Sequence, residues 1–235
     1  MINFVNLKNF NQLSRLLLLA FSPILILLIY LTGVAIINSP VDYQQGNAVK
    51  IMYIHVPSAW MSMLIYSFLA IFNLSAFIFR NPFFYIISRS IAIIGASFTA
   101  ITLITGSIWG KPIWGTYWAW DARLTSMLIL FFLYLSYIIL TNSFSDRDKA
   151  DKISAIIAIV GFVNIPFIKF SVEYWSSLHQ PASIIRSKGI AIHSSMLKPL
   201  LLSFATFLIL SVLLSLIRIK TLININKIHR KLKIN

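Results

Sequence analysis

Two features of this sequence carry the residue types needed for chemistry: a tryptophan-rich stretch and two histidines that stand just before prolines. The stretch reads Gly110-Lys111-Pro112-Ile113-Trp114-Gly115-Thr116-Tyr117-Trp118-Ala119-Trp120-Asp121-Ala122-Arg123. Three of the six tryptophans fall within seven residues, with Trp109 just before them. On a short helix Trp114, Tyr117, Trp118 and Asp121 share a face, being three and four residues apart. In an extended segment Trp114, Trp118 and Trp120 share one instead, and Gly110, Pro112 and Gly115 leave the choice open. Either way the expectation is a flat aromatic platform, suited to a large planar apolar ligand. Indole N–H groups and Arg123 would serve the ligand's polar edge. The plainer reading is an aromatic belt at a membrane interface, which does not account for Asp121 and Arg123 beside the indoles.

His55 lies in Tyr53-Ile54-His55-Val56-Pro57, and His179 in Tyr174-Trp175-Ser176-Ser177-Leu178-His179-Gln180-Pro181. Each precedes a proline by two residues, which predicts a place at a helix edge. His193 has no aromatic setting, and His229 falls in a basic tail. Two histidines on separate connections raise the question of what they would hold. Zinc normally takes three or four ligands, and only Asp121 and Glu173 are near, with no cysteine in the chain. Haem iron takes one or two axial ligands, accepts neutral imidazole, and its ring wants apolar walls. Arg123, Arg186 and Lys188 would face its propionates. The set fits haem better than a bare metal ion.

Other chemistries find little support. There is no phosphate-cradling glycine loop, nucleophile elbow or HExxH pair. The absence of cysteine removes thiol redox chemistry and thiolate metal sites. Charged residues are nearly absent from the apolar stretches, which argues against an ion relay, a hydrolase or a transferase. The expectation is a protein that is not an enzyme.

The elements that must position these residues follow from composition. Of 235 residues 58% are hydrophobic and 11% charged, and the mean hydropathy is +0.83. Soluble domains carry about 25% charged residues, so this is a small polytopic membrane protein. A span needs roughly 20 apolar residues, and six stretches qualify: 16–37, 58–79, 91–109, 124–142, 153–170 and 199–217. The expected fold is an all-α bundle of six transmembrane helices in a single membrane domain, 1–235. The first span is too long for a signal-peptide core and is read as a retained anchor. The fifth is the weakest, since it holds Pro166 and Lys169, the latter placed to snorkel.

Thirteen of the 20 basic residues fall on the termini and on the turns around 80–90 and 143–152. By the positive-inside rule both termini are then cytoplasmic. The connections 38–57, 110–123 and 171–198 face outward together, carrying the tryptophans and both candidate ligands. The net charge of +14 is read as topology and contact with anionic lipid, not nucleic-acid binding. The basic tail is expected to be a solvated, lipid-touching end.

The run Trp114-Gly115-Thr116-Tyr117-Trp118-Ala119-Trp120-Asp121-Ala122-Arg123-Leu124-Thr125 resembles the WGxxWxWDxRLT signature, or WWD motif, of the haem-handling membrane proteins of cytochrome c maturation. Together with the His55 and His179 segments, it is most similar to the haem exporter protein C family, also called cytochrome c maturation protein C. The resemblance covers roughly residues 40 to 200. It implies a protein that presents haem b at the outer membrane face and loads it onto a membrane-anchored haem chaperone. An ATP-binding-cassette complex, with a small single-span partner, then helps release the loaded chaperone. Carried over by position, His55 and His179 would be axial ligands, with Trp114, Trp118, Trp120 and Asp121 as the platform. Arg123 would be a propionate or chaperone contact. The membrane would be the bacterial cytoplasmic membrane or the mitochondrial inner membrane. The readings set against it are an electron-transfer cytochrome subunit, a larger haem–cytochrome c ligase of the same superfamily, and a structural subunit with an interfacial belt.

Overall fold

The computed structural model describes residues 7–175, 177–179, 189 and 191–232, with side chains described from residue 10 to residue 227. Among these residues the regular elements are helical, apart from a single bridge between Asp42 and Gly46. They are α1 (Leu7–Ile37), a 3-10 turn (Asn47–Ile51), α2 (Met52–Phe79), α3 (Phe83–Trp114), α4 (Ala122–Ser143), α5 (Arg147–Gly161), α6 (Asn164–Tyr174) and α7 (Ser194–Leu232). Six stretches are long and apolar enough to cross a membrane, with α5 and α6 together forming the fifth. The chain is a multi-pass membrane protein.

Hydropathy located the spans but undershot their ends. Helix α3 begins eight residues before the predicted 91 and continues to Trp114, past Gly110 and Pro112. The physical reason is that helices run on through the interfacial layer, where polar and aromatic residues satisfy water as well as helix. Two expectations change as a result. His55 does not stand on a connection before α2 but within its first turn, because the 3-10 turn feeds directly into the helix and Pro57 costs only one local bond. The expected connection 110–123 shrinks to 115–121, closed by Gly115 in the left-handed region at φ 77°. The start of the basic tail continues α7 as helix through Arg218, Lys220 and Lys227, with Lys227 exposed. The fifth span is broken at 162–163, and Pro166 sits in the first turn of α6, where its missing N–H does no harm.

With lipid outside, the bundle is held by close packing and by polar groups satisfied within it. Helices α2, α3, α4 and α5 surround Met61, Tyr66, Leu69, Leu130, Tyr134 and Tyr137, all fully buried. Tyr134 donates to the Ser62 carbonyl at 2.8 Å and meets Tyr66 edge-to-face at 4.9 Å. Hydroxyls inside the helices turn back onto carbonyls four residues earlier, as Ser90, Thr99, Thr102 and Ser154 do. Helix α1 packs mainly on α7, where Thr32 and Thr206 share a 2.8 Å hydrogen bond. At the end away from Trp114, Arg89 of α3 forms an ion pair with Asp151 of α5.

Gly95 is required by this packing. A Cβ there would lie 2.2 Å from the hydroxyl of Tyr134, whose ring is locked in the core. Gly95→Ala should therefore destabilise the fold by about 1–3 kcal/mol. Thermal unfolding in detergent measures this, and an unchanged midpoint would refute the close approach.

Candidate haem-binding site

Asp121 organises one end of the bundle. Its backbone is extended, with φ −95° and ψ 168°, and it caps α4: Leu124 N–H donates to Oδ1 at 2.7 Å. The other carboxylate oxygen draws in the segment 56 residues further on. Ser177 Oγ donates to Oδ2 at 2.7 Å, Leu178 N–H donates at 3.3 Å, and His179 Nδ1 lies at 3.4 Å. One short side chain thus fixes the start of a helix and seats a candidate ligand.

Burial alone would push the Asp121 carboxyl up. The hydrogen bonds from Leu124 N–H and Ser177, with His179 beside it, outweigh that and hold it below the usual carboxylate range. Burial pulls His179 below 6.5; Asp121 opposes this without reversing it, and Arg123 adds to it. His179 is therefore neutral at physiological pH. Its Nδ1–H points at the carboxylate and its Nε2 keeps a lone pair, the arrangement that orients a metal-binding imidazole and raises its basicity.

Both shifts have the same consequence for stability. Below 6.5 the unfolded chain takes up a proton at His179 that the folded state resists, so stability falls as pH drops through that range. Protonation of Asp121 at lower pH acts in the same direction. The cargo-free protein should lose melting temperature steadily from about pH 7 to about pH 5. A rise would reverse the assignment.

His55 is held from α3. Its Nδ1 lies 3.0 Å from the Thr102 carbonyl and 3.2 Å from Thr105 Oγ1. A carbonyl can only accept, so Nδ1 carries a proton, and in the neutral ring Nε2 keeps the lone pair. The His55 ring is within electrostatic reach of both His179 and Arg123. The fold thus brings two imidazoles, from α2 and from a connection more than a hundred residues later, to the same end of the bundle.

The tryptophans are not a flat platform. Trp109 meets Trp114 at 5.0 Å and 85°, Trp114 meets His179 at 5.0 Å and 68°, and Trp118 meets Trp120 at 5.5 Å and 79°. Neither the helical nor the extended grouping survives, since Trp114 ends α3 while Trp118 and Trp120 lie on the connection. Edge-to-face contact is what the ring quadrupoles favour, and it builds walls instead of a shelf. Trp109 Nε1–H donates to Gln45 Oε1 at 3.0 Å, so the first connection also braces the Trp114–His179 contact. Trp118 Nε1 is buried and meets no hydrogen-bond acceptor among the described residues, while Trp120 is 78% exposed. Arg123 ties α4 to α6 through Ser171 Oγ at 3.4 Å and the Lys169 carbonyl at 3.4 Å.

His193 instead bonds Ser195 at the start of α7. Arg186, Lys188 and the side chain of His229 lie outside the described residues. Sequence reasoning missed Gln45, Thr102, Thr105 and Ser177. Only Ser177, two residues before His179, offered any local signal. An apolar groove of about 400 Å³ between α4 and α6, lined by Ala122, Ile129, Phe167 and Trp175, includes neither histidine. Among the described residues the donor set is thus two imidazoles whose Nε2 atoms make no hydrogen bond, and no group of three or more metal-ligating side chains gathers. That suits a ligand with its own equatorial donors better than a bare ion.

The family model described as Heme exporter protein C matches residues 1–234, spanning His55, the tryptophan run and His179. The chain belongs to the haem exporter protein C family. A family member from Bradyrhizobium diazoefficiens, named Heme exporter protein C, is 48% identical over 178 residues, 76% of this chain and 68% of its own length. The protein of that name from Escherichia coli K12 is 44% identical over 185 residues, 79% of this chain and 74% of its own. A putative cytochrome c biosynthesis ccmC-like mitochondrial protein of Marchantia polymorpha is 47% identical over 186 residues, 77% and 78% of the two chains. Haem exporter protein C relatives are thus matched in bacteria, and a related protein in a plant mitochondrion.

Proposed function

We propose that this chain handles haem in cytochrome c maturation, holding haem b between His55 and His179 and delivering it to a membrane-anchored haem chaperone. The observation that carries this reading is the matched pair of imidazoles. Each has its Nδ1 engaged by an oxygen acceptor and its Nε2 left as a lone pair. Trp114 and Trp118 wall the cargo, and Asp121 orients His179. Arg123, already tied to α6, offers its remaining donors to a propionate or to the chaperone.

The distribution of basic residues puts both termini in the cytoplasm and this site at the outer face. The membrane is the bacterial cytoplasmic membrane or its mitochondrial counterpart. In this reading the chain works in an ATP-binding-cassette complex with a small single-span partner, which the family resemblance supports. No acid or base is required of the chain, so it acts as a positioning protein and not as an enzyme. It sets iron and ring edge for the nucleophile of the chaperone. A membrane cytochrome would hold its iron between facing helices, whereas here one ligand is on a connection that can open for transfer.

Coexpression with the chaperone tests this. The purified chain should carry haem with a six-coordinate low-spin spectrum, and the chaperone should acquire covalent haem only in its presence. Haem retained without transfer would favour the cytochrome, and no haem at all would favour the structural belt.

A further inference from the structure

Gly106 stands in the interior of α3, a place where glycine is intrinsically worse than alanine. Its lack of a side chain is used: a Cβ there would lie 2.9 Å from His55 Cε1 and 3.4 Å from His55 Nδ1. One turn earlier the Thr102 carbonyl and Thr105 Oγ1 hold that same Nδ1. Thr105 Oγ1–H is itself committed to the Ile101 carbonyl at 2.6 Å, so its lone pairs face the imidazole as acceptors. We infer that the α3 turn from Thr102 to Gly106 is a positioning seat for His55, in which the threonines fix the tautomer and Gly106 gives the ring's Cε1 edge room against the helix. The inference rests on the proposed role of His55 as an iron ligand.

The seat sets His55 apart from His179. The His55 ring is clamped between two helices against a neutral carbonyl, whereas the His179 ring hangs on a connection from a carboxylate. His55 is the ligand held by helix, and His179 the one held by a carboxylate. The residue displaced by a methyl at 106 is the free end of a side chain and not backbone, so the substitution moves the ring and spares the fold.

The test compares Gly106→Ala and Thr105→Val with two glycine controls. Gly33→Ala adds a methyl into open space, and Gly95→Ala strains the core away from His55. Gly106→Ala is expected to keep the wild-type yield and melting temperature but to lose about 10–100-fold in haem retention, the scale seen when a ligand's support is removed. Its remaining haem should become high-spin, and added imidazole should restore the low-spin spectrum by filling the vacated position. Thr105→Val should weaken retention in the same sense, and Gly33→Ala should match wild type. A Gly106→Ala protein with the wild-type spectrum and retention would overturn the seat. So would one that, like Gly95→Ala, loses stability while its folded fraction binds haem normally. If the wild-type protein itself lacks a two-histidine low-spin spectrum, the ligand assignment fails first, and the seat falls with it.

Discussion

Replacing His179 with alanine is expected to lower haem retention by more than about 100-fold, beyond the 10–100-fold that loss of a supporting residue produces. The same holds for His55→Ala. Haem iron left with a single axial imidazole would be five-coordinate, so the low-spin spectrum should give way to a high-spin one. The two variants should differ in a way the structure dictates. Removing His55 empties a position enclosed by α3, which a small external imidazole can occupy in the wild-type orientation. Removing His179 also frees Asp121, Ser177 and Trp114 from the group they surround. External imidazole should therefore rescue His55→Ala more fully. Absorption spectra of the two purified variants, with and without imidazole, decide the matter. An unchanged Soret band in both would remove these residues from the iron.

The second large effect is expected at Asp121, where charge and cap can be separated. Asparagine caps helices about as well as aspartate, so Asp121→Asn should keep the α4 cap, although its donor-only NH2 replaces the oxygen that accepts from Ser177 and Leu178 N–H. It removes the negative charge facing His179 Nδ1, and haem affinity should fall by about 10–100-fold. The bound iron should also shift to a more positive potential, because the imidazole becomes a poorer donor. Asp121→Ala loses the cap as well, at about 1 kcal/mol. Spectral titration and thermal unfolding of both variants measure the two roles independently. Equal affinity in wild type and Asp121→Asn would show that the carboxylate serves the helix alone.

The six spans were legible because apolar runs of about twenty residues have few other uses. Their ends were not, since Gly110, Pro112 and Trp114 look like connection residues while the helix tolerates all three. The candidate ligands and Asp121 were legible through residue type and through the family resemblance. What escaped was pairing across the chain. Ser177 finds Asp121 and Gln45 finds Trp109 only after folding, and neither residue is unusual in its own neighbourhood. Thr102, Thr105 and Gly106 were hidden more deeply, because small and hydroxylated residues are ordinary in membrane helices. The flat platform was a misjudgement of geometry: composition specified the indoles, but only the end of α3 and the turn at Gly115 decided that they would meet edge to edge.

The ladder from Gln45 through Trp109 and Trp114 to His179 also makes the protein report on itself. Indole emission overlaps porphyrin absorption, and these rings border the position the cargo would take. Filling the site should darken the intrinsic fluorescence, and handing the pigment onward should bring the light back. Each delivery could then be timed in a stopped-flow cell with no dye attached.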